Sequence, residues 1–115
     1  MAQIPLEQLE AMFEKMNAES GWNTSGSLLW GYFFTDPKPK RLKPLAAHLA
    51  ELGYRLVSIY ETDDRSTYFL HVERVEAHTP KSLFERNAQF NSLASEFGVA
   101  SYDGMDVGPV SGGSH

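Results

Sequence analysis

Apolar residues recur along this chain at two spacings, one typical of helices and one typical of strands. Over residues 5–19 they recur every three or four positions, which predicts an amphipathic N-terminal helix. Pro5 suits the first turn of this helix, and Gly21 marks its end. Its apolar side, which needs a surface to cover, is formed by Leu6, Leu9, Met12, Phe13 and Met16.

Two further helices are predicted from the same spacing and from their terminal residues. In the second, Pro44 is placed in the first turn, and Gly53 supplies the C-terminal cap. In the third, Thr79 is the N-terminal cap, Pro80 follows in the first turn, and Gly98 caps the end. Each helix has one apolar side, so both should pack against a sheet.

Four segments are rich in the β-branched and aromatic residues that favour strands. They cover residues 28–34, 54–61, 67–76 and 99–102, and the middle two are joined by a polar connection of hairpin length. After the first helix the order is therefore strand, helix, strand, strand, helix, strand. This order predicts an α+β fold, a ferredoxin-like βαββαβ two-layer sandwich with an additional N-terminal helix.

The length of the chain fits one domain, since 115 residues can bury a single hydrophobic core. We predict a single α+β domain over residues 1–107, with a helical extension at 1–22 and the βαββαβ core at 27–107. The glycine- and serine-rich segment 108–115 is predicted to be a flexible tail.

Composition excludes several kinds of chemistry. Ten basic and fifteen acidic residues give a net charge of −5, which disfavours direct binding to nucleic acid or anionic lipid. The chain has no cysteine, so disulfides and thiolate metal sites are excluded. No apolar run approaches the roughly 20 residues that span a bilayer, and Glu7 and Glu10 stand where a signal peptide would be positive. We therefore expect a cytoplasmic protein without membrane contact.

Alternation in the third predicted strand separates Leu70 and Val72 from Phe69, His71 and Glu73, which share the other face of the sheet. The second strand is expected to contribute Val57 and Ile59 to the core and to leave Leu56, Ser58 and Tyr60 opposite. The first strand adds aromatics to that opposite face in either orientation, through Phe33 or through Trp30, Tyr32 and Phe34.

Three interpretations of this aromatic face are open. The N-terminal helix can cover it as ordinary core, which is the interpretation we favour. It can instead be a platform for a protein partner, because aromatic residues and methionine are enriched at interfaces. An RNA-stacking platform is disfavoured by the acidic charge, and Trp30-Gly31-Tyr32 lacks the basic residue of the RNA-binding signature.

The four histidines do not have the spacing of a metal site, and phosphate loops and serine-centred nucleophile motifs are absent from the sequence. We therefore predict no catalytic residue, no metal site, no cofactor and no enzyme activity. His71 and Glu73 lie two residues apart on one sheet face. A small-ligand or catalytic role for this pair is the second hypothesis.

The most specific pattern lies near the C-terminus, where the helix ending Leu93-Ala94-Ser95-Glu96-Phe97-Gly98 leads through a short strand into Tyr102-Asp103-Gly104. This resembles the C-terminal signature of the regulator of ribonuclease activity B family, in which a Tyr-Asp-Gly turn is usually followed by Trp. Met105 stands at the position of that Trp. The resemblance extends more weakly to Trp30-Gly31-Tyr32-Phe33-Phe34 and Leu52-Gly53-Tyr54.

The resemblance implies a non-catalytic, cytoplasmic regulator in RNA metabolism. Its partner would be ribonuclease E or a related endoribonuclease, and protein contact would restrain RNA cleavage. The expected protein-binding residues are Trp30, Tyr60, Phe69, Tyr102, Asp103, Met105 and Asp106.

The Tyr-Asp-Gly segment also has a structural interpretation, in which Asp103 bonds the backbone ahead of it and Gly104 adopts positive φ. We favour this interpretation for the turn. A homo-oligomer is a further possibility, because four short strands leave exposed sheet edges.

Overall fold

The computed structural model describes residues 4–19 and 26–108, and the secondary structure in these residues follows the predicted order. The helices are α1 (Leu6–Glu19), α2 (Pro39–Glu51) and α3 (Pro80–Glu96). The strands are β1 (Leu28–Asp36), β2 (Arg55–Glu61), β3 (Tyr68–Glu76) and β4 (Ser101–Gly108).

The four strands form one antiparallel sheet in the order β2-β3-β1-β4. β1 and β3 lie in the centre, and β2 and β4 lie at the edges. Helix α2 connects β1 to β2 and helix α3 connects β3 to β4, and both pack on one face, which we call the helix side. This is the ferredoxin-like βαββαβ arrangement, with an N-terminal helix added, that the sequence predicts.

The hydrophobic core lies between the sheet and the two crossover helices. Trp30, Tyr32 and Phe34 of β1 point to the helix side and are at most 1% exposed. Leu70 and Val72 of β3 join them, which confirms the predicted alternation of β3. The helices contribute Leu42, Leu45, Ala46, Leu49, Leu83, Phe90 and Ala94.

Helix α1 packs beside α3 on the helix side. The ring of Phe13 lies 6.0 Å from the ring of Trp30, and Leu9 and Met16 are also buried in the core. The interpretation that α1 covers the aromatic face is therefore wrong. Because Trp30 is buried on the helix side, the apolar side of α1 packs against it on that side and not on the aromatic face.

Helices α2 and α3 end in the same hydrogen-bonded motif. Gly53 and Gly98 have φ values of +97° and +68°, in the left-handed region that favours glycine. The residue after each glycine donates its backbone N–H to the carbonyl five residues earlier, at 3.0 Å for Tyr54 and 2.9 Å for Val99. The predicted glycine caps are confirmed.

Pro44 lies inside α2, because the helix begins at Pro39. The prediction that Pro44 belongs to the first turn is therefore wrong. Proline removes one backbone donor, which here would have faced the carbonyl of the exposed Lys40. The complete burial of Leu42, Leu45 and Leu49 stabilises the helix despite that loss.

Strand β2 contains an irregularity at Val57 that changes two predicted positions. Leu56 pairs with Val72 and therefore faces the helix side, whereas the sequence predicts the opposite face. Val57 is 39% exposed and not part of the core. One extra residue in a strand reverses the face of its neighbours, which alternation alone does not reveal.

Strand β4 runs through the segment predicted as a tight turn. Tyr102 pairs with Phe34 and Gly104 pairs with Phe33, so Asp103 is the extra residue of a β-bulge. The predicted positive φ of Gly104 is confirmed at +138°. The turn itself is wrong, because pairing with β1 continues to Gly108 and satisfies the backbone that a turn would expose.

The predicted tail and the predicted end of the first helix lie at or beyond the limits of the described residues. Gly108, predicted as the first residue of the tail, pairs with Leu29. The rest of the predicted tail, residues 109–115, lies outside the described residues, as does the predicted helix end at Gly21.

Candidate functional site

The face of the sheet opposite α2 and α3, which we call the open face, carries aromatic side chains from three strands. Phe33 of β1, Tyr60 of β2, and Phe69 and His71 of β3 share it, as the pairing of these strands shows. None of the described helices packs across these rings, since the helices bury their apolar sides on the helix side. An uncovered aromatic surface of this kind is uncommon unless it binds something.

The four rings form a continuous row, which we call the aromatic ladder. Tyr60 and Phe69 are nearly parallel, with ring centroids 5.5 Å apart. Phe69 meets Phe33 edge to face at 6.3 Å, and Phe33 stacks on His71 at 4.3 Å. Tyr60 is 43% exposed, and the other three rings are partly buried. Stacked and edge-to-face pairs hold the ladder in a fixed arrangement.

The histidine end of the ladder meets a carboxylate. His71 Nε2 and Asp106 Oδ1 both lie above Gly31, where an added methyl carbon would be 2.8 Å and 2.5 Å from them. Burial lowers the pKa of His71, the charge of Asp106 raises it, and Arg55 lowers it, with a net decrease. The imidazole is therefore predominantly neutral at neutral pH.

Glu73 lies two residues after His71 in the sequence. It forms a salt bridge with Arg55, its pairing partner on β2. Glu73 shares the sheet face of His71, as predicted, but the carboxylate that lies with His71 above Gly31 is that of Asp106. Among the described residues, no group of three His, Asp or Glu side chains is placed to hold a metal ion. The open face therefore offers stacking surfaces and carboxylates.

A groove of about 480 Å³ lies along the other end of the ladder. Its floor is formed by Phe33, Tyr60 and Phe69, and Asp103, Gly104 and Met105 of the β4 bulge form one wall. Ile4, just before α1, and Gln8, in its first turn, extend that wall. The bulge thus places an exposed carboxylate beside an aromatic surface.

Four of the seven predicted site residues meet on this surface. Tyr60, Phe69 and Asp103 line the groove, and Asp106 lies next to His71. Met105 borders the groove, but it pairs with Tyr32 and its Sδ accepts a hydrogen bond from Asn87 Nδ2 at 3.7 Å, so its side chain faces the helix side.

Trp30 and Tyr102, the remaining two predicted site residues, are only 1% and 4% exposed, and both face the helix side. Tyr102 donates its hydroxyl hydrogen to Asn87 Oδ1 at 2.6 Å, so it anchors β4 to α3. Neither side chain is available to a partner in this structure.

Sequence reasoning missed the contributions of Ile4 and Gln8 to the groove. No local signal could have found them, because the position of α1 depends on its packing with Trp30 and α3. The role of Gly31 could have been suspected, since glycine inside a strand often marks a close approach of other groups.

A cluster of polar side chains on the helix side joins the end of β3 to α3. Glu76 Oε2 accepts hydrogen bonds from Tyr32 and, at 2.8 Å, from Arg86, and it lies 3.0 Å from His78 Nε2. Burial alone raises the pKa of Glu76, but hydrogen bonds with His78, Tyr32 and Arg86 outweigh it and lower the pKa to about 2. Burial and Glu76 together raise the pKa of Tyr32.

The family model described as Regulator of ribonuclease activity B matches residues 6–107, nearly the whole chain. The chain belongs to this family. The resemblance noted from the C-terminal segment is therefore confirmed, and the family name implies regulation of ribonuclease activity. A comparison with curated proteins gave no match.

Within the described ranges, no helix has the length and apolar character needed to cross a membrane. Among the described residues, the open face carries the partly exposed rings of the aromatic ladder.

Proposed function

We propose that this member of the regulator of ribonuclease activity B family binds ribonuclease E or a related endoribonuclease through the open face, in the cytoplasm, and catalyses no reaction itself. Family membership supports the regulatory role. The uncovered aromatic ladder beside a groove is the observation that supports protein contact. Bound protein would restrain RNA cleavage by occupying a surface of the enzyme.

The composition of the open face supports a protein partner. Tyr60 offers a large exposed ring at low entropic cost. Asp103 and Asp106 favour basic groups on the partner. The same two carboxylates would repel the phosphates of RNA, so stacking of RNA bases on the ladder is disfavoured.

The second candidate, a small-ligand or catalytic role for His71 and Glu73, has less support. Glu73 is engaged with Arg55, and the space above Gly31 is filled by His71 and Asp106. A substrate would need to displace one of these side chains before it could reach the imidazole. Geometry therefore favours the binding role.

The proposal is tested by isothermal titration of the purified protein into the catalytic and scaffold portions of ribonuclease E from the same source. An RNA-cleavage assay on the same mixtures completes the experiment. Saturable binding together with slower cleavage is the expected result. Absence of binding by protein with the circular dichroism of a folded α+β domain would contradict the proposal.

A further inference from the structure

A second cavity, of about 330 Å³, opens on the helix side between α2 and α3. We call it the α2–α3 cavity. Tyr54 and Phe90 form its aromatic part, and Leu52 and Leu93 form its apolar walls. Its volume falls at the lower end of the range of about 300–1,000 Å³ that small-molecule sites occupy.

Two guanidinium groups converge on this cavity. Arg74 and Arg86 both line it, and their Cζ atoms lie 4.9 Å and 5.8 Å from the centre of the Tyr54 ring. Glu76 contacts both, with Oε1 3.7 Å from Arg74 Nε and Oε2 2.8 Å from Arg86 Nη1. One carboxylate against two guanidiniums leaves one excess positive charge, in a chain whose net charge is −5.

The two arginines are held in place by other groups. Arg86 Nε donates to Gln89 Oε1 at 3.2 Å, and Arg86 Nη1 also donates to the Tyr54 hydroxyl. Arg74 Nη1 donates to the carbonyl of Leu52 at 3.3 Å. Side chains that are already ordered lose little conformational entropy when a ligand binds, so the positive charge is preorganised.

An apolar group lies beside this charge at the rim of the cavity. Leu52 is 51% exposed. Leu93, on α3, also lines the cavity. The arrangement therefore combines a cationic end with apolar walls.

We propose that the α2–α3 cavity binds a small molecule in which a single carboxylate is attached to an apolar body. The carboxylate would bind Arg74 and Arg86, and the apolar body would pack between Leu52 and Leu93. This site lies on the opposite side of the sheet from the open face. It is thus independent of the proposed contact with a ribonuclease.

Three probes with the same apolar body test the proposal. Phenylpropionate, phenylpropionamide and phenylpropylamine are titrated separately into ¹⁵N-labelled protein, and amide resonances are followed by NMR. The carboxylate is expected to shift resonances around the cavity in a saturable way, with an affinity at least about tenfold higher than that of the amide. The amine is expected not to bind.

Arg74→Gln is the informative variant, because Arg74 is partly exposed, whereas loss of Arg86 would leave Glu76 without its closest cation. We expect Arg74→Gln to weaken phenylpropionate binding about tenfold. Arg55→Gln is the matched control, since Arg55 lies on the open face in a salt bridge with Glu73. Urea unfolding of each variant shows whether the domain stays folded.

Equal binding of the acid and the amide would overturn the proposal, as would an unchanged affinity in folded Arg74→Gln. The source of the carboxylate is tested with a blocked Leu-Glu-Leu tripeptide. Weaker binding of the tripeptide than of phenylpropionate supports a small-molecule ligand. Tighter binding of the tripeptide would overturn that assignment in favour of an acidic protein segment.

Discussion

His71 and Asp106 approach each other directly above Gly31, although the three residues lie on three different strands. The approach depends on the absence of a side chain at Gly31. Phe33 stacks on the His71 ring at 4.3 Å and restricts its movement. The aromatic ladder and the carboxylate of β4 are therefore parts of one surface, with Gly31 between them.

This relationship predicts how His71 titrates. Burial lowers the pKa of His71, and Asp106 opposes the decrease by stabilising the imidazolium. Asp106→Asn is therefore expected to lower the pKa of His71 further, as measured by NMR titration of the imidazole ring. Asp63→Asn, in the β2–β3 connection, is the control and should leave the titration unchanged. An unaltered midpoint in Asp106→Asn would show that the two groups do not interact.

The same shift sets the direction of a pH effect on stability. Because the pKa of folded His71 lies below its ordinary value of 6.5, the unfolded chain binds the proton more strongly. The contribution of His71 to the free energy of unfolding is then complete above pH 6.5. It decreases as the pH falls through the folded-state pKa.

Substitution of Gly31 tests the close approach itself. A Cβ atom in Gly31→Ala would overlap both His71 and Asp106. Asp106 is exposed and can turn away, so we expect a loss of about 1–2 kcal/mol in the free energy of unfolding, measured in urea. Gly108→Ala, where an added Cβ meets no atom within 4 Å, is the control. Equal stability of the two variants would contradict the crowding at Gly31.

Tyr102 is expected to act in folding and not in partner binding. Tyr102→Phe removes the hydroxyl that bonds the buried Asn87, which leaves the Asn87 oxygen without this donor. We expect a loss of about 1–2 kcal/mol in the free energy of unfolding, and unchanged affinity for a ribonuclease partner. Tyr60→Phe should leave stability unchanged. A stable Tyr102→Phe with weakened binding would instead place Tyr102 at the interface.

Glu76 is expected to stabilise the junction of β3 and α3. Glu76→Gln leaves Arg86 without its ionic partner, and we expect a loss of about 2–3 kcal/mol at pH 7 in urea unfolding. Glu73→Gln, which removes the partner of the exposed Arg55, should cost at most about 1 kcal/mol. Similar losses for both variants would contradict the importance of burial at Arg86, whose side chain is 21% exposed against 70% for Arg55.

Acid unfolding gives a second measurement on the same residue. The pKa of Glu76 is lowered from 4.5 to about 2, so its stabilising effect is complete above pH 4.5 and is lost as the pH falls towards 2. Between these pH values, Glu76→Gln should lose less stability than the wild-type protein does. If the free energy of unfolding fell equally with pH in Glu76→Gln and in the wild-type protein, another group would control the acid transition.

Local signals account for the parts of the fold that the sequence predicts correctly. Thr79 Oγ1 accepts a hydrogen bond from the backbone N–H of Ser82 at 3.0 Å, and Ser82 Oγ accepts one from the backbone N–H of Thr79 at 2.8 Å. Such caps involve neighbouring residues and can be recognised from the sequence alone. The same holds for the glycines that end α2 and α3.

Long-range packing accounts for what the sequence does not predict. Strand β1 is apolar on both faces, so only its packing against the helices decides that Phe33 faces outwards. The position of α1 depends on the contact of Phe13 with Trp30. The bulge at Asp103 depends on how β4 pairs with β1, and a Tyr-Asp-Gly segment is equally compatible with a turn.

The same contrast between local and long-range signals applies to the candidate site. Strand alternation predicts that Tyr60 and Phe69 share a face, and the pairing of β4 with β1 brings Asp106 to the same face. Trp30 and Tyr102 are of residue types that are common at interfaces, but both are buried in the core. Aromatic residues serve cores and interfaces equally well, so residue type alone does not separate the two.

The central claim, that the open face binds a ribonuclease, is tested most directly by comparing two exposed residues on opposite sides of the sheet. Tyr60 is 43% exposed on the open face, and Leu52 is 51% exposed near the helix side. Tyr60→Ala, Leu52→Ala and the wild-type protein are titrated into ribonuclease E by calorimetry, after circular dichroism has shown that each is folded. We expect Tyr60→Ala to weaken binding about tenfold or more and Leu52→Ala to bind like the wild-type protein. Full affinity of Tyr60→Ala together with weakened binding of Leu52→Ala would contradict the claim and move the interface to the other side of the molecule.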